Sequence, residues 1–472
     1  MGGLFIVQVN SILNLQKQLI CNTNPISPYF RSLISLFYQL NPKLIYRSVS
    51  YIFEFMPISK TLSIGLCMLI MVSGCNKQND PVTTSPVTPT TPASGDSATL
   101  TVINGYGSGK YKVGDTVHIW SAAIPTNSVF DTWSGYSNLL ANNGEWHNTL
   151  VMPAQNISLT ASTKAVAAYT LVYEKIKGKN NLKNVYYYFP SGHKGIVYLL
   201  HGTSGSAQNL VTNFEWIQMI NELVADNFAI IVTEAEEVTL NTDINGDGKI
   251  RWNPTPIDTV ANVDYANIKA ITDTFYTRGY STRSIPRYSV GMSDGGAFSA
   301  DLSYVYSFKT GISYCAPSGT FIATTATTPF QYCMAKYDDN PNVGAQGNAD
   351  ALSNSQSFSS RGICSKYFIH DHSPVYPERF ARRQDISTTV STNLVNELRK
   401  NNWLDSKNYF VNTSGFVSAD IQAKPANYPV FLSLNLTQQV DVLNQIDVMY
   451  AAHQFYSDFN RTTIQFLNTQ CQ

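Results

Sequence analysis

The segment Arg287-Tyr-Ser-Val-Gly291-Met-Ser293-Asp294-Gly295-Gly296-Ala-Phe constrains this chain more than any other. Residues up to 291 read as a buried strand, and those after 294 read as a helix. Between them, glycines at 291 and 295 flank Ser293 in the spacing G-x-S-x-G. A strand that passes into a helix over so few residues needs a tight turn, and the two glycines permit it. The residue at the turn is forced into strained backbone angles. Its side chain is thereby exposed at the carboxyl end of the strand, with the helix dipole pointing at it.

The flanking sequence supplies the sheet that such a turn requires. Residues 195–201 and 228–233 are continuous apolar runs of the kind a central parallel strand needs. Between them, residues 214–225 place Phe214, Ile217, Ile220, Leu223 and Val224 at helical spacing. Strands alternating with helices imply an α/β fold, a mostly parallel sheet covered on both faces, over residues 166–472. At 472 residues and 43% apolar, the chain is long enough for two or three domains and a large core.

The expected chemistry follows from that turn. Ser293 is the candidate nucleophile. His201-Gly202-Thr203 closes a strand, and the backbone amides of Thr203 and Asp294 are the expected oxyanion donors. His453 follows an apolar segment and precedes a final helix over 460–467, where a general base belongs in the order nucleophile, acid, base. For the acid, Asp371 in Lys366-Tyr-Phe-Ile-His-Asp371-His-Ser373-Pro-Val is the expected carboxylate, with Glu378 and Asp385 as alternatives.

Arg251-Trp252-Asn253-Pro254, Val263-Asp264-Tyr-Ala-Asn-Ile268 and the G-x-S-x-G-G turn occur in the order found in a known group. Over about residues 195–467 the chain resembles the α/β-hydrolases of the secreted polyhydroxybutyrate depolymerase and feruloyl esterase group. The resemblance implies an extracellular serine esterase acting on polymeric or polymer-attached esters. It departs from the group at Asp294, where Asn is usual, and in the acid loop, where Ser373 falls at the usual acid position.

Asp243-Ile-Asn245-Gly-Asp247-Gly248-Lys249-Ile250 matches the first two-thirds of an EF-hand or dockerin loop. Asp243, Asn245, Asp247 and the main chain of Lys249 are the expected ligands of a structural Ca2+. The twelfth position is Pro254 rather than an acid, leaving Asp258 or Asp264 as substitutes or an ion-free turn as the alternative. No cofactor is expected for catalysis.

The amino-terminal part reads as an address. Lys60, an apolar run over 62–72 and Ser73-Gly74-Cys75 resemble a bacterial lipoprotein signal, with Cys75 the lipidated residue. Eleven apolar residues suit a signal peptide but are too few for a membrane-spanning helix. The expected layout is a start-site artefact or disordered stretch over 1–55, a signal over 56–74 and a Pro/Thr-rich tether over 75–97. A small β module over 98–165, resembling a repeat of bacterial surface proteins, precedes the catalytic domain. Trp120, Trp133 and Trp146 in that module are expected to pack its core, with sugar stacking as the alternative. Beyond the signal, Cys315, Cys333, Cys364 and Cys471 allow two disulfides, with pairing undetermined. Residues 320–362, rich in Thr, Ser and Asn, read as a lid.

Equal numbers of acids and bases give no electrostatic case for nucleic acid. The expectation is an enzyme of the bacterial cell envelope, anchored to the membrane through Cys75 and acting on a polymer-attached ester. A serine peptidase or lactone hydrolase on the same fold, and a non-catalytic glycan-binding surface lipoprotein, are the alternatives.

Overall fold

The computed structural model describes residues 97–471. The signal, the tether and Cys75 lie outside these residues. Among the described residues, no helix is long and apolar enough to cross a membrane.

The first seven strands are β1 (Ser97–Ile103), β2 (Gly105–Tyr106), β3 (Gly109–Lys112), β4 (Thr116–Ser121), β5 (Ser128–Gly135), β6 (His147–Val151) and β7 (Ile157–Ala165). They form two small sheets, ordered β3-β1-β7-β5 and β2-β4-β6. The period-two alternation of β1 buries Ala98, Leu100 and Val102 and leaves the threonines between them exposed. Trp120, Trp133 and Trp146 are buried in the resulting core, so none offers a free face to a sugar.

The larger part is an α/β-hydrolase fold. Its strands are β8 (Val172–Lys177), β9 (Leu182–Tyr188), β10 (Ile196–Leu200), β11 (Ala229–Val232), β12 (Arg287–Met292), β13 (Thr310–Tyr314), β14 (Phe330–Ala335) and β15 (Ser365–His370). They make one eight-stranded sheet in the order β15-β14-β13-β12-β10-β11-β9-β8. The strands from β10 to β15 pair in parallel, and β9 joins β11 and β8 antiparallel. Every residue of β10, β11, β13 and β14 is buried, as strands covered on both faces require.

Each face of the sheet has its own core. Val197, Leu199, Val290 and Ile312 pack with α1 (Phe214–Ala225) and with residues from the carboxyl-terminal helix, Ile464 and Leu467. Tyr198, Leu200 and Ile231 pack on the other face with α2 (Val263–Thr277) and α3 (Asp294–Val305). Truncating one such buried aliphatic to alanine typically costs about 2–5 kcal/mol.

The segment 320–362 is not a lid. It contains β14, which lies inside the sheet, and α4 (Gly344–Ser360), which packs on β14 and β15. Its polar composition comes from the Thr-rich stretch over 320–328 and from α4, which exposes Gln346, Asp350, Ser353, Gln356 and Ser359, while the strand Phe-Gln-Tyr-Cys-Met-Ala is wholly buried. After β15 a helical cluster inserts before the last helix, with its own core of Phe380, Leu394, Leu398, Phe410 and Ile446. It ends in α5 (Leu436–Tyr450), begun by an Asn435–Gln438 capping box. The chain closes with α6 (Asn460–Thr469).

Of the four cysteines, Cys364 and Cys471 form a disulfide that ties the end of the chain to the start of β15. Cys315 and Cys333 are free thiols, both buried, so one expected bridge is formed and the second is not.

The β module docks closely on the α/β region. Tyr376 enters the module's core, stacking on Tyr106 at 4.6 Å and packing on Trp120 at 4.8 Å. Arg382 lies over the Trp146 ring at 3.5 Å. A polar chain runs across the same boundary. Tyr409 Oη meets His118 Nε2 at 3.3 Å, and His118 Nδ1 meets His147 Nε2 at 3.0 Å. His147 Nδ1 meets Asp458 Oδ2 at 2.6 Å.

Candidate active site

Ser293 sits between β12 and α3 with φ 56° and ψ −127°, a strained conformation for a residue with a side chain. The turn closes so tightly that a Cβ on Gly291 would lie 2.0 Å from the Gly295 carbonyl oxygen. A Cβ on Gly295 would lie 2.4 Å from the carbonyl of His201. Only glycine fits at either position. The Ser293 amide donates to Tyr314 O at 2.8 Å, fixing the turn to the neighbouring strand.

His453 lies just past α5. Ala451, in the left-handed region with φ 59°, ends that helix and turns the chain back toward the sheet. The ring reaches Ser293 Oγ with Nε2 at 2.9 Å and Asp338 Oδ2 with Nδ1 at 2.7 Å. A carboxylate accepts only, so Nδ1 carries the proton and Nε2 is free to accept from the serine hydroxyl. The Asp338 side chain is fully buried, and its Oδ1 accepts from the Asn340 amide at 3.0 Å.

The carboxylate on His453 is therefore Asp338, at the end of β14, and not Asp371. Asp371 follows β15, one strand further out, where its exposed side chain pairs with Lys336 Nζ at 2.6 Å. Asp385 is exposed and paired with Arg383. Neither Glu378 nor Asp385 hydrogen-bonds to His453. Asp338 lay within the segment read as a lid. The available signal was a short, largely apolar run, Phe330–Ala335, with Asp338-Asp339 following after Lys336 and Tyr337, between Ser293 and His453 in chain order.

Thr203, at the end of the His201-Gly202-Thr203 loop, and Asp294, directly after Ser293, lie beside one another. Both Thr203 and Ser293 line one half-open cavity of about 300 Å³, and Asp294 opens α3, where first-turn amides have no helical acceptor. Their side chains are joined, because Thr203 Oγ1 donates to Asp294 Oδ2. Arg251 Nη1 donates to the other oxygen, Asp294 Oδ1, at 2.9 Å. Behind the loop, Trp252 Nε1 donates to His201 O at 3.0 Å and its ring stacks on Phe298. Burial pushes His201 down to about 4, so it stays neutral; its Nδ1 donates to Gly202 O and its Nε2 accepts from the Ala235 amide.

The expected calcium loop closes on itself. Asp243 accepts from the amides of Gly246 and Gly248, each at 2.7 Å, and Asp247 Oδ1 accepts from the Lys249 amide at 2.9 Å. Asn245 accepts from the Asp247 amide at 3.0 Å. Asp247 Oδ2 is held by Arg251 through Nε at 2.9 Å and Nη2 at 2.6 Å. Asp258 and Asp264 are turned to backbone amides of their own surroundings. The residues present do not complete a calcium cage, and Arg251 supplies the positive charge.

Beneath the site, Cys315 follows β13, fully buried, with Sγ donating to Gln454 O at 3.5 Å. Burial, and then the Asp338 charge, pushes its thiol well above the usual range, so it is no competing nucleophile. The cavity's walls combine Leu210, Trp216 and Met292 with Asn209, Asn340 and Gln454.

No protein-family model matches the chain, and no curated protein matches it by sequence. Solved structures resemble it in part. An esterase of Pyrococcus furiosus covers 44% of this chain and 86% of its own, at 11% identity and a TM-score of 0.31. A ferulic acid esterase covers 42% and 89%, at 14% identity and a TM-score of 0.32. A predicted CIB-like hydrolase from Thermoplasma acidophilum covers 48% and 100%, at 16% identity and a TM-score of 0.32.

Proposed function

We propose that the protein is a serine hydrolase of carboxylic esters. The observation that carries this reading is the in-line set Ser293 Oγ, His453 and Asp338, with contacts of 2.9 and 2.7 Å. Ser293 attacks the ester carbonyl while His453 Nε2 takes its proton. Asp338 holds the ring in the required tautomer and stabilises the imidazolium as it forms. The amides of Thr203 and Asp294 receive the developing oxyanion. His453 then returns the proton to the departing alcohol, leaving an acyl-enzyme. Water, activated by the same ring, releases the acid.

The substrate in this reading is an ester attached to a polymer. A half-open cavity of about 300 Å³ leaves the alcohol side outside, where a large chain can lie. The polar Asn209, Asn340 and Gln454 beside Leu210 and Trp216 suit a short or polar-substituted acyl group. Anchoring at the cell envelope through Cys75 is part of the proposal and rests on the sequence over 60–75.

Hydrolysis of p-nitrophenyl, feruloyl, acetyl and hydroxyalkanoate esters by the wild type and by Ser293→Ala tests it. The variant is expected to lose at least about a thousandfold in kcat. Equal inactivity of the two proteins across the panel would sink the catalytic reading. Release of membrane-bound protein by Cys75→Ala tests the anchor separately.

A further inference from the structure

Cys315, Asp338 and His453 converge from three separate places: the end of β13, the end of β14 and the loop after α5. Their sulfur, carboxylate and ring-nitrogen atoms all lie within 4.8 Å of one another. Among the described residues, this is the one group of three or more such side chains so gathered. Thiolate, imidazole and carboxylate are the ligand types that zinc takes, with bonds of about 2.0–2.3 Å that bring ligands to within about 3–4 Å of each other. The cluster is therefore near a zinc geometry before any ion arrives.

We infer that this cluster is an inhibitory site for a divalent transition-metal ion, zinc above all, built into the base of the active site. The inference rests on the proposed triad for its consequence, though not for the binding itself. His453 forms part of the wall of the active-site cavity and its side chain keeps 12% of its exposure, while Cys315 and Asp338 lie buried behind its ring. Three protein ligands leave a fourth position for water.

The proton balance explains why binding stops turnover. The ion takes Cys315 Sγ, Asp338 Oδ2 and His453 Nδ1. The thiol proton leaves to solvent, since zinc binds the thiolate. The imidazole stays neutral, so the proton displaced from Nδ1 moves to Nε2. A protonated Nε2 cannot accept from Ser293, and the nucleophile is left without its base. Magnesium and calcium prefer oxygen ligands and have little affinity for such a set.

The test is calorimetric titration of zinc into the full chain, followed in parallel by ester hydrolysis, for wild type, Cys315→Ser and Cys315→Ala. The expected result is one tight site per chain in wild type, inhibition that tracks its occupancy, and recovery of activity on chelation. Both variants are expected to keep basal activity and to need at least about tenfold more zinc for the same inhibition. Absence of zinc binding in wild type, or equal binding and inhibition in all three proteins, would overturn the site. Inhibition by magnesium at the same concentrations would do so too. If the metal-free wild type proves inactive, the catalytic reading fails, while the titration still decides whether the site exists.

Discussion

Arg251 holds Asp294, the residue after the nucleophile, with Nη1 2.9 Å from Oδ1, and the same guanidinium grips Asp247 through Nε and Nη2. Asp294 therefore ties the turn after Ser293 to the 243–250 loop. Losing one oxyanion donor outright costs about 10²–10³ in kcat. Arg251 acts on the donors only through Asp294, so Arg251→Ala is expected to lower kcat by about tenfold with KM little changed. Arg251→Lys should recover only part, since an ammonium cannot span both acids in a fork. Chelation should leave the melting temperature of the wild type unchanged. Steady-state kinetics and thermal melts check these outcomes; a fall in melting temperature on chelation would return an ion to the loop.

Asp338 and Asp371 are separable by mutation. Asp338→Asn removes the acceptor that fixes the His453 tautomer, and losses of about 10⁴ in kcat accompany that change in serine hydrolases. Asp371→Asn breaks an exposed pair with Lys336, worth about 0–1 kcal/mol, and should leave kcat within a factor of about two. Comparing kcat for the two variants decides between the carboxylates.

Asp301 gives a pH-dependent prediction. It is buried in α3 and has no cation within ion-pairing distance among the described residues. Burial raises its carboxyl to about 7, against a hydrogen bond with Tyr265 that lowers it. A carboxyl raised in the fold favours the neutral form, so its contribution is fully present below about pH 4 and is lost as pH rises through 7. Asp301→Asn should therefore stabilise more at pH 8 than at pH 5, measured as the difference in melting temperature from wild type. An equal difference at both pH values would show that Asp301 does not titrate in this window.

The Cys364–Cys471 bridge closes a loop of 107 residues. Removing such a link typically costs about 2–5 kcal/mol. Reduction, or Cys364→Ser, should lower the melting temperature while leaving activity at 25 °C intact, because both cysteines lie away from Ser293. Melting with and without reductant checks this. No shift would mean that packing of α6 alone secures the carboxyl terminus.

Local features were legible in the sequence and long-range ones less so. The G-x-S-x-G turn, α1 and the position of His453 are each specified within a dozen residues, by glycine sterics or by apolar periodicity. Asp338 is specified by which strand it follows, and β14 is hidden between a Thr-rich stretch and the polar helix α4. Reading that segment as a lid removed a strand from the sheet and moved the acid one strand outward, to Asp371. The second expected disulfide is missing for a related reason. Cys315 and Cys333 stand on neighbouring strands with the Cys315 amide donating to Cys333 O, yet their sulfurs serve separate surroundings.

Tyr376 fills a place in the β module's core although it belongs to the α/β region, so the two parts are not beads on a string. A cut near residue 166 would yield one fragment missing a core aromatic and another displaying it to water. Swinging the module aside would mean parting the Tyr106–Tyr376 stack and the His147–Asp458 hydrogen bond together. Any ligand large enough to touch both parts meets two surfaces held together by the same contacts.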